Sequence, residues 1–266
     1  MIRYNIVYNI REAVDLYDSG HSLRAISEIF GVSRKFIRKS IANVRNIRSA
    51  KEQSFLTAQM RNMSDWFDII DSHLKAYWLG FVLADGNVAS NLRSVEIDLA
   101  IKDVEHLNKF AEIFRIDVEK GENRCRCRIC NVYLCNILDN IGIHPNKTYL
   151  NDASVFDKIP LKFANSFILG FMDGDGSIYL DNRKNNYIIL DFTGSESILR
   201  NVRDILVSIL RVNKNKVSPT KSVFRIQWSG KQAIKILNWL YKDSPVRLER
   251  KFNIYNNIAS EKLFGY

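Results

Sequence analysis

The chain has 266 residues, 46% of them hydrophobic and 26% charged, which suits one large folded domain or a large one beside a small one. Its 39 Lys and Arg outnumber 29 Asp and Glu, and the resulting net charge of +10 favours a polyanionic partner. This composition argues against disorder, and no run approaches the ~18 apolar residues of a membrane helix. The start, MIRYNIVYNIREAV, lacks the apolar core and small-residue cleavage site of a signal peptide, so a cytoplasmic, nucleoid-associated protein is expected.

Residues 11–44 predict three short helices. Ala13, Leu16 and Tyr17 fall at helical spacing before Gly20. Ser22 caps a second helix with Leu23, Ile26, Ile29 and Phe30 on one face, and Gly31 makes the turn. Ser33 caps a third, with Phe36, Ile37 and Ile41 inward and Arg34, Lys35, Arg38 and Lys39 outward. Two helices joined by a short turn, the second basic on its exposed face, resemble the helix-turn-helix of resolvase- and homeodomain-like DNA-binding modules. The module is placed at residues 1–48 and a linker at 49–72, with Trp66, Phe67 and Ile69 as candidates to dock on the next domain.

From residue 73 the chain repeats itself. SHLKAYWLGFVLADGNV and NSFILGFMDGDGSIYL are two versions of one segment, with Asp85 and Asp175 at matching positions. Each is followed by a strand (VEIDLA, YIILDF), an amphipathic helix, a second strand (RCRCRIC, VFRIQW) and a final helix. The predicted fold is α+β: tandem pseudo-twofold αββαββα repeats over 73–160 and 161–266, forming a saddle of two antiparallel sheets behind a small all-α module.

In the repeated segments Gly80 and Ala84, and likewise Gly170 and Gly174, lie four apart on one helix face. Small residues at that spacing let two backbones approach, although each helical glycine costs about 1 kcal/mol of propensity. Gly86 and Gly176 suit a left-handed helix end. Asp85 and Asp175 stand at helix C-termini, where the dipole disfavours an anion by about 0.3–1 kcal/mol. Close packing would add mutual repulsion, and a cation between them would relieve both costs. Asp173 has Leu83 as its counterpart and reads as a packing residue.

WLGFVLADG (78–86) and ILGFMDGDG (168–176) resemble the motif of the two-motif, single-chain LAGLIDADG homing endonucleases, and the resemblance covers residues 73–258. It implies site-specific, metal-dependent hydrolysis of both strands of duplex DNA over a long recognition site, one active site per repeat, by a monomer needing no protein partner or membrane. It implies two or three Mg²⁺ ions, with Mn²⁺ able to substitute, held by Asp85 and Asp175 and by the backbone at Gly86 and Gly176. It further implies a basic residue near each scissile phosphate: Lys147 in the first repeat, and Lys251, preferred over Arg247 and Arg250, in the second. A binding regulator without cleavage and an intron RNA maturase are the alternatives of the same fold.

Strand alternation places Arg124, Arg126 and Arg128 on one face and Cys125, Cys127 and Ile129 on the other. Arg225 and Gln227 likewise oppose Phe224, Ile226 and Trp228. Arginine reads guanine and glutamine reads adenine in a major groove, so these faces are the expected DNA surface, with Arg93, Tyr179, Arg183 and Lys184 as further contacts. All four cysteines lie between Cys125 and Cys135 and read as buried thiols in a reduced protein, with no zinc expected.

Overall fold

A computed structural model describes residues 9–53, 56, 65–145, 153–181 and 187–264, with side chains to 258. Contacts divide the chain into two units, residues 1–65 with 132–134 and residues 66–131 with 135–266.

The first unit holds α1 (Ile10–Asp18), α2 (Leu23–Phe30) and α3 (Arg34–Ala42). Their N-termini are closed by the polar residues that precede them: Asn9 accepts from the Arg11 N–H, Ser22 from Ala25 and Ser33 from Phe36. Gly31 ends α2 at φ 62°, a left-handed turn that only glycine adopts cheaply. The core is Ala13, Tyr17, Ile26, Phe30, Ile37 and Ile41. Ile29 and Phe36, expected inward, are half exposed at 50% and 48%. Ile26 with Phe30, and Ile37 with Ile41, set the buried stripes, and each misplaced residue sits about 100° round the helix from one of them. The core extends past α3: the Arg48 guanidinium lies 3.7 Å over the Tyr17 ring, and Arg45 pairs with Asp18.

The second unit carries the duplication. Its first repeat runs α4 (His73–Asp85), β1 (Gly86–Val88), β2 (Val95–Ala100), α5 (Val104–Phe114), β3 (Glu119–Lys120), β4 (Arg124–Ile129) and α6 (Val132–Asn140). The second runs α7 (Ala164–Asp175), β5 (Gly176–Asp181), β6 (Tyr187–Gly194), α8 (Glu196–Leu210), β7 (Ser218–Pro219), β8 (Phe224–Ser229) and α9 (Gly230–Tyr241), followed by α10 (Glu249–Phe264). Each repeat builds its own antiparallel sheet, in the orders β1-β2-β4-β3 and β5-β6-β8-β7. This is the expected fold class, and the register explains it. Val95, Ile97 and Leu99 of β2 and Cys125, Cys127 and Ile129 of β4 all point inward. Ile188, Leu190 and Phe192 meet Ile226 and Trp228 in the same way. Leu107 and Phe110 of α5 and Leu199 and Leu206 of α8 are fully buried in the helices packed on these sheets, each side chain adding about 1.5–3 kcal/mol.

Trp66 and Phe67 are buried in this unit, edge-on to one another, with Phe114 beside both. Ile69 is 69% exposed, and Ile70 takes the inward position expected of it. Among the described residues no helix is long and apolar enough to cross a membrane.

Candidate active site and nucleic-acid interface

The two repeats meet through α4 and α7, both buried along nearly their whole length. A methyl group placed on Gly80 would stand 2.0 Å from the Phe167 carbonyl oxygen, and one on Gly170 would stand 1.9 Å from that of Tyr77. Backbone therefore touches backbone, twice, in a reciprocal way that the duplicated glycines permit. Further along, a methyl on Gly174 would meet the Ala84 Cβ at 2.3 Å and an Asp85 carboxylate oxygen at 3.2 Å. The end of α4 is thus pressed against the last turn of α7.

Gly86 and Gly176 correct the sequence reading. Both are extended, at φ −71° and −104°, and open the strands β1 and β5. Their need for glycine is steric: a Cβ would come within 2.5 Å of the Val82 carbonyl oxygen in one repeat and 2.7 Å of that of Met172 in the other. Each chain turns from helix straight into strand, and its acid stands at that corner. Asp85 and Asp175 are both half-buried there.

Lys251, expected as the basic residue near a scissile phosphate, is buried. Its ammonium donates to the carbonyl oxygens of Met172 (2.7 Å), Asp173 (2.7 Å) and Gly176 (2.6 Å). It thereby closes the C-terminus of α7 with a positive charge, where the helix dipole is negative. Burial lowers its pKa to about 8, and the acids Asp173, Asp85 and Asp175 oppose that shift. One ammonium is therefore within electrostatic reach of the motif acids of both repeats. The Gly176 carbonyl, a candidate metal contact, already accepts from it. Arg247 lies over the Phe252 ring and Arg250 pairs with Asp103. Lys147 lies outside the described residues.

Behind the acids runs a polar chain that sequence reasoning reached only in part. Asp173 is buried and accepts from the Tyr77 hydroxyl (2.7 Å) and the Leu248 N–H (2.8 Å). Tyr77 in turn shares a hydrogen bond with His106 Nε2 (3.0 Å), and because Asp173 belongs to the second repeat and Tyr77 and His106 to the first, the chain crosses from one repeat to the other. Burial raises Asp173 to about 6 and lowers His106 to about 3. These shifts act oppositely on stability. As pH falls from 6.5 towards 3, the unfolded chain binds a proton that folded His106 refuses, and stability drops by up to about 1.4 kcal/mol per pH unit. As pH falls from 6 towards 3.8, folded Asp173 binds a proton before the unfolded chain does, and stability rises at a similar rate. The native chain should therefore be nearly level between about pH 6 and 4 as far as these two groups are concerned. His106→Gln should gain stability on acidification and Asp173→Asn should lose it, read from urea midpoints. Identical pH profiles for both variants would break this account.

The sheet faces carry the expected polar residues, but their cations are paired. Arg124 holds Asp98 (2.8 Å), Arg126 holds Glu119 (2.9 Å), and Arg128 donates through Nε to Glu96 (2.8 Å). In the second sheet Arg225 donates to Asp191 (2.7 Å), and Arg225 and Gln227 both donate to the Tyr179 hydroxyl. Arg93 is exposed in the turn between β1 and β2. Arg183 and Lys184 lie outside the described residues. On α3, Arg34, Lys35, Arg38 and Lys39 are all exposed and make no ion pair among the described residues. Cys125, Cys127 and Cys135 are buried thiols, and burial pushes Cys127 and Cys135 up to about 12.

Glycine-packed motif helices in backbone contact, each opening an αββαββα repeat, are the architecture that the motif resemblance implied. Two solved structures similar to the chain carry the same family name. One is the LAGLIDADG meganuclease I-AabMI bound to uncleaved DNA, 14% identical over 71% of this chain and 90% of that one, with a TM-score of 0.48. The other is the I-LtrWI LAGLIDADG homing endonuclease bound to target DNA, 12% identical over 73% and 91%, with a TM-score of 0.47. No family model matches the sequence, and no curated protein does.

Proposed function

We propose that the chain is a site-specific endonuclease that cuts both strands of duplex DNA with divalent metal. The observation that carries this reading is a pair of half-buried acids, one from each repeat, at the C-terminal ends of helices in backbone contact and both within electrostatic reach of Lys251. An acid at a helix C-terminus is electrostatically misplaced, and a second acid nearby worsens it. Two such acids make sense as ligands.

The donors fit a hard cation. Asp85 and Asp175 offer carboxylate oxygens at the ends of α4 and α7, and glycine at 174 lets Asp85 lie against α7. Oxygen donors of this kind suit Mg²⁺, with Mn²⁺ as a substitute. When bound, the cations would polarise the phosphodiester and lower the pKa of the attacking water. The protein's own residues hold the reacting groups. The α4–α7 contact fixes the spacing of the acids, and Lys251 ties the turn that carries Asp175 to α10. The paired sheets would lie along the major groove on either side of the cut, so one chain reads both halves of a long site as a monomer. The α3 cations would contact phosphates of a further DNA segment.

The test is cleavage of a plasmid library bearing randomised inserts, with Mg²⁺ and with chelator. Linear product from the native chain, absent with chelator and absent for the Asp85→Asn/Asp175→Asn double variant, is the expected result. Tight, selective binding without any product would make the chain a regulator instead.

A further inference from the structure

Both sheets repeat one device at equivalent positions. In the first, Gly86 pairs with Ile97 and Ile97 with Cys127; in the second, Gly176 pairs with Phe192 and Phe192 with Ile226. One residue before each partner stand Glu96 and Arg126 in the first sheet, and Asp191 and Arg225 in the second. Both are carboxylate–guanidinium pairs. Arg225 lies 2.7 Å from Asp191, while Glu96 accepts from Arg128 at 2.8 Å and lies 3.8 Å from Arg126, whose own hydrogen bonds go to Glu119. The carboxylates are the less exposed partners: the Glu96 side chain is 19% exposed and that of Asp191 8%, against 44% for Arg126 and 39% for Arg225.

The Arg124–Asp98 and Arg126–Glu119 pairs are exposed on both sides and add little to stability. On a surface meant for DNA they also weaken attraction to phosphate, because three carboxylates (Glu96, Asp98, Glu119) stand among the three arginines of β4. Affinity does not account for them, and the burial of Asp191 and Glu96 explains why each carboxylate has a partner without explaining why that partner is a guanidinium turned to solvent. Geometry does. A guanidinium held along its Nε edge cannot swing to the nearest phosphate, and it presents its remaining N–H groups in a fixed direction. That direction is what bidentate recognition of a guanine edge requires.

We propose that Glu96 and Asp191 are specificity-determining positioning residues. They hold Arg128 and Arg225 for guanine edges and withhold them from the phosphate backbone. The inference rests on the reading of these sheets as DNA-facing.

The experiment uses the full chain with Asp85→Asn and Asp175→Asn, so that bound DNA is not cut. This background selects from a duplex library with a randomised core, and the bound fraction is sequenced. Adding Glu96→Gln should remove the preference for guanine in one half of the enriched motif, and Asp191→Asn in the other. Each should also tighten binding to unselected duplex, with a salt dependence steeper by about one unit of log–log slope per arginine released. Glu96→Asp should restore the preference. An enriched motif and salt slope unchanged by both neutral variants would overturn the proposal while leaving the DNA reading intact. A background that enriches no motif would remove the DNA reading and the proposal with it. Should Glu96→Gln fail to fold, Arg128→Met removes the guanidinium that Glu96 holds. Retention of the same guanine preference by that variant would overturn the proposal equally.

Discussion

Asp85→Asn and Asp175→Asn, made singly, are expected to turn a double-strand cut into a nick, each on a different strand. Asparagine keeps the shape of the side chain and removes the charge that a metal ligand needs. The packing that defines the site is carried by Gly80, Gly170 and Gly174, so both variants should fold as the native chain does. Losing several kcal/mol of transition-state stabilisation at one phosphate lowers its hydrolysis about a thousandfold. The other acid, supplied by the other helix, keeps working. A supercoiled plasmid carrying a selected target, with the two strands labelled differently, reads the outcome directly. Open circles should accumulate for each single variant, with complementary labels cut. If either substitution abolishes both cuts, the acids form one shared centre, and the assignment of one active site per repeat fails.

The duplication was legible because it is written in residue types that have few other uses. Glycine at the same face of two apolar helices, followed in both cases by Asp-Gly, has no purpose in an ordinary core helix. The coordinates give that pattern a cause in the reciprocal contacts at 2.0 and 1.9 Å. Strand faces were legible for a similar reason, since alternation of Arg with Cys leaves only one way in. What alternation cannot convey is pairing across strands. That Arg126 and Arg225 each lean on a carboxylate follows from register, and register follows from which strand lies beside which. Gly86 and Gly176 show another limit. Glycine after a helix suits a left-handed turn or a close approach equally well, and only the φ angles distinguish them.

Lys251 illustrates a third. A lysine in RLERKF looks like any surface cation, yet three carbonyls from a helix end far away in sequence enclose its ammonium. Asp173 was set apart from the motif acids because its repeat partner is Leu83, and the structure adds the Tyr77 hydroxyl it receives. The same contrast separates the two groups of cations. Those of α3 make no ion pair among the described residues and suit phosphate contacts of any sequence, whereas those of the sheets are paired and suit discrimination. On the proposed reading, salt should weaken DNA binding mainly through α3, because counterion release scales with the number of phosphates neutralised.

Gly170→Ala should be among the most damaging single-methyl changes in the chain. On helix propensity alone alanine would stabilise α7 by about 1 kcal/mol, so any net loss must come from contact. The added carbon would stand 1.9 Å from the Tyr77 carbonyl oxygen and 2.9 Å from the Phe81 nitrogen. Both are backbone atoms and no rotamer change can clear them. The helices must separate, at a cost of about 3 kcal/mol or more, which lowers the melting temperature by roughly 6–12 °C. Separation also moves Asp85 away from Gly174, so cleavage of both strands should fall together although both acids are present. Gly80→Ala should behave alike, since its carbon would meet the Phe167 oxygen at 2.0 Å. Gly121→Ala is the control, because its nearest neighbour, the Arg124 oxygen, is 3.4 Å away. Wild-type melting and undiminished double-strand cutting by Gly170→Ala would mean that the helix contact does not place the acids.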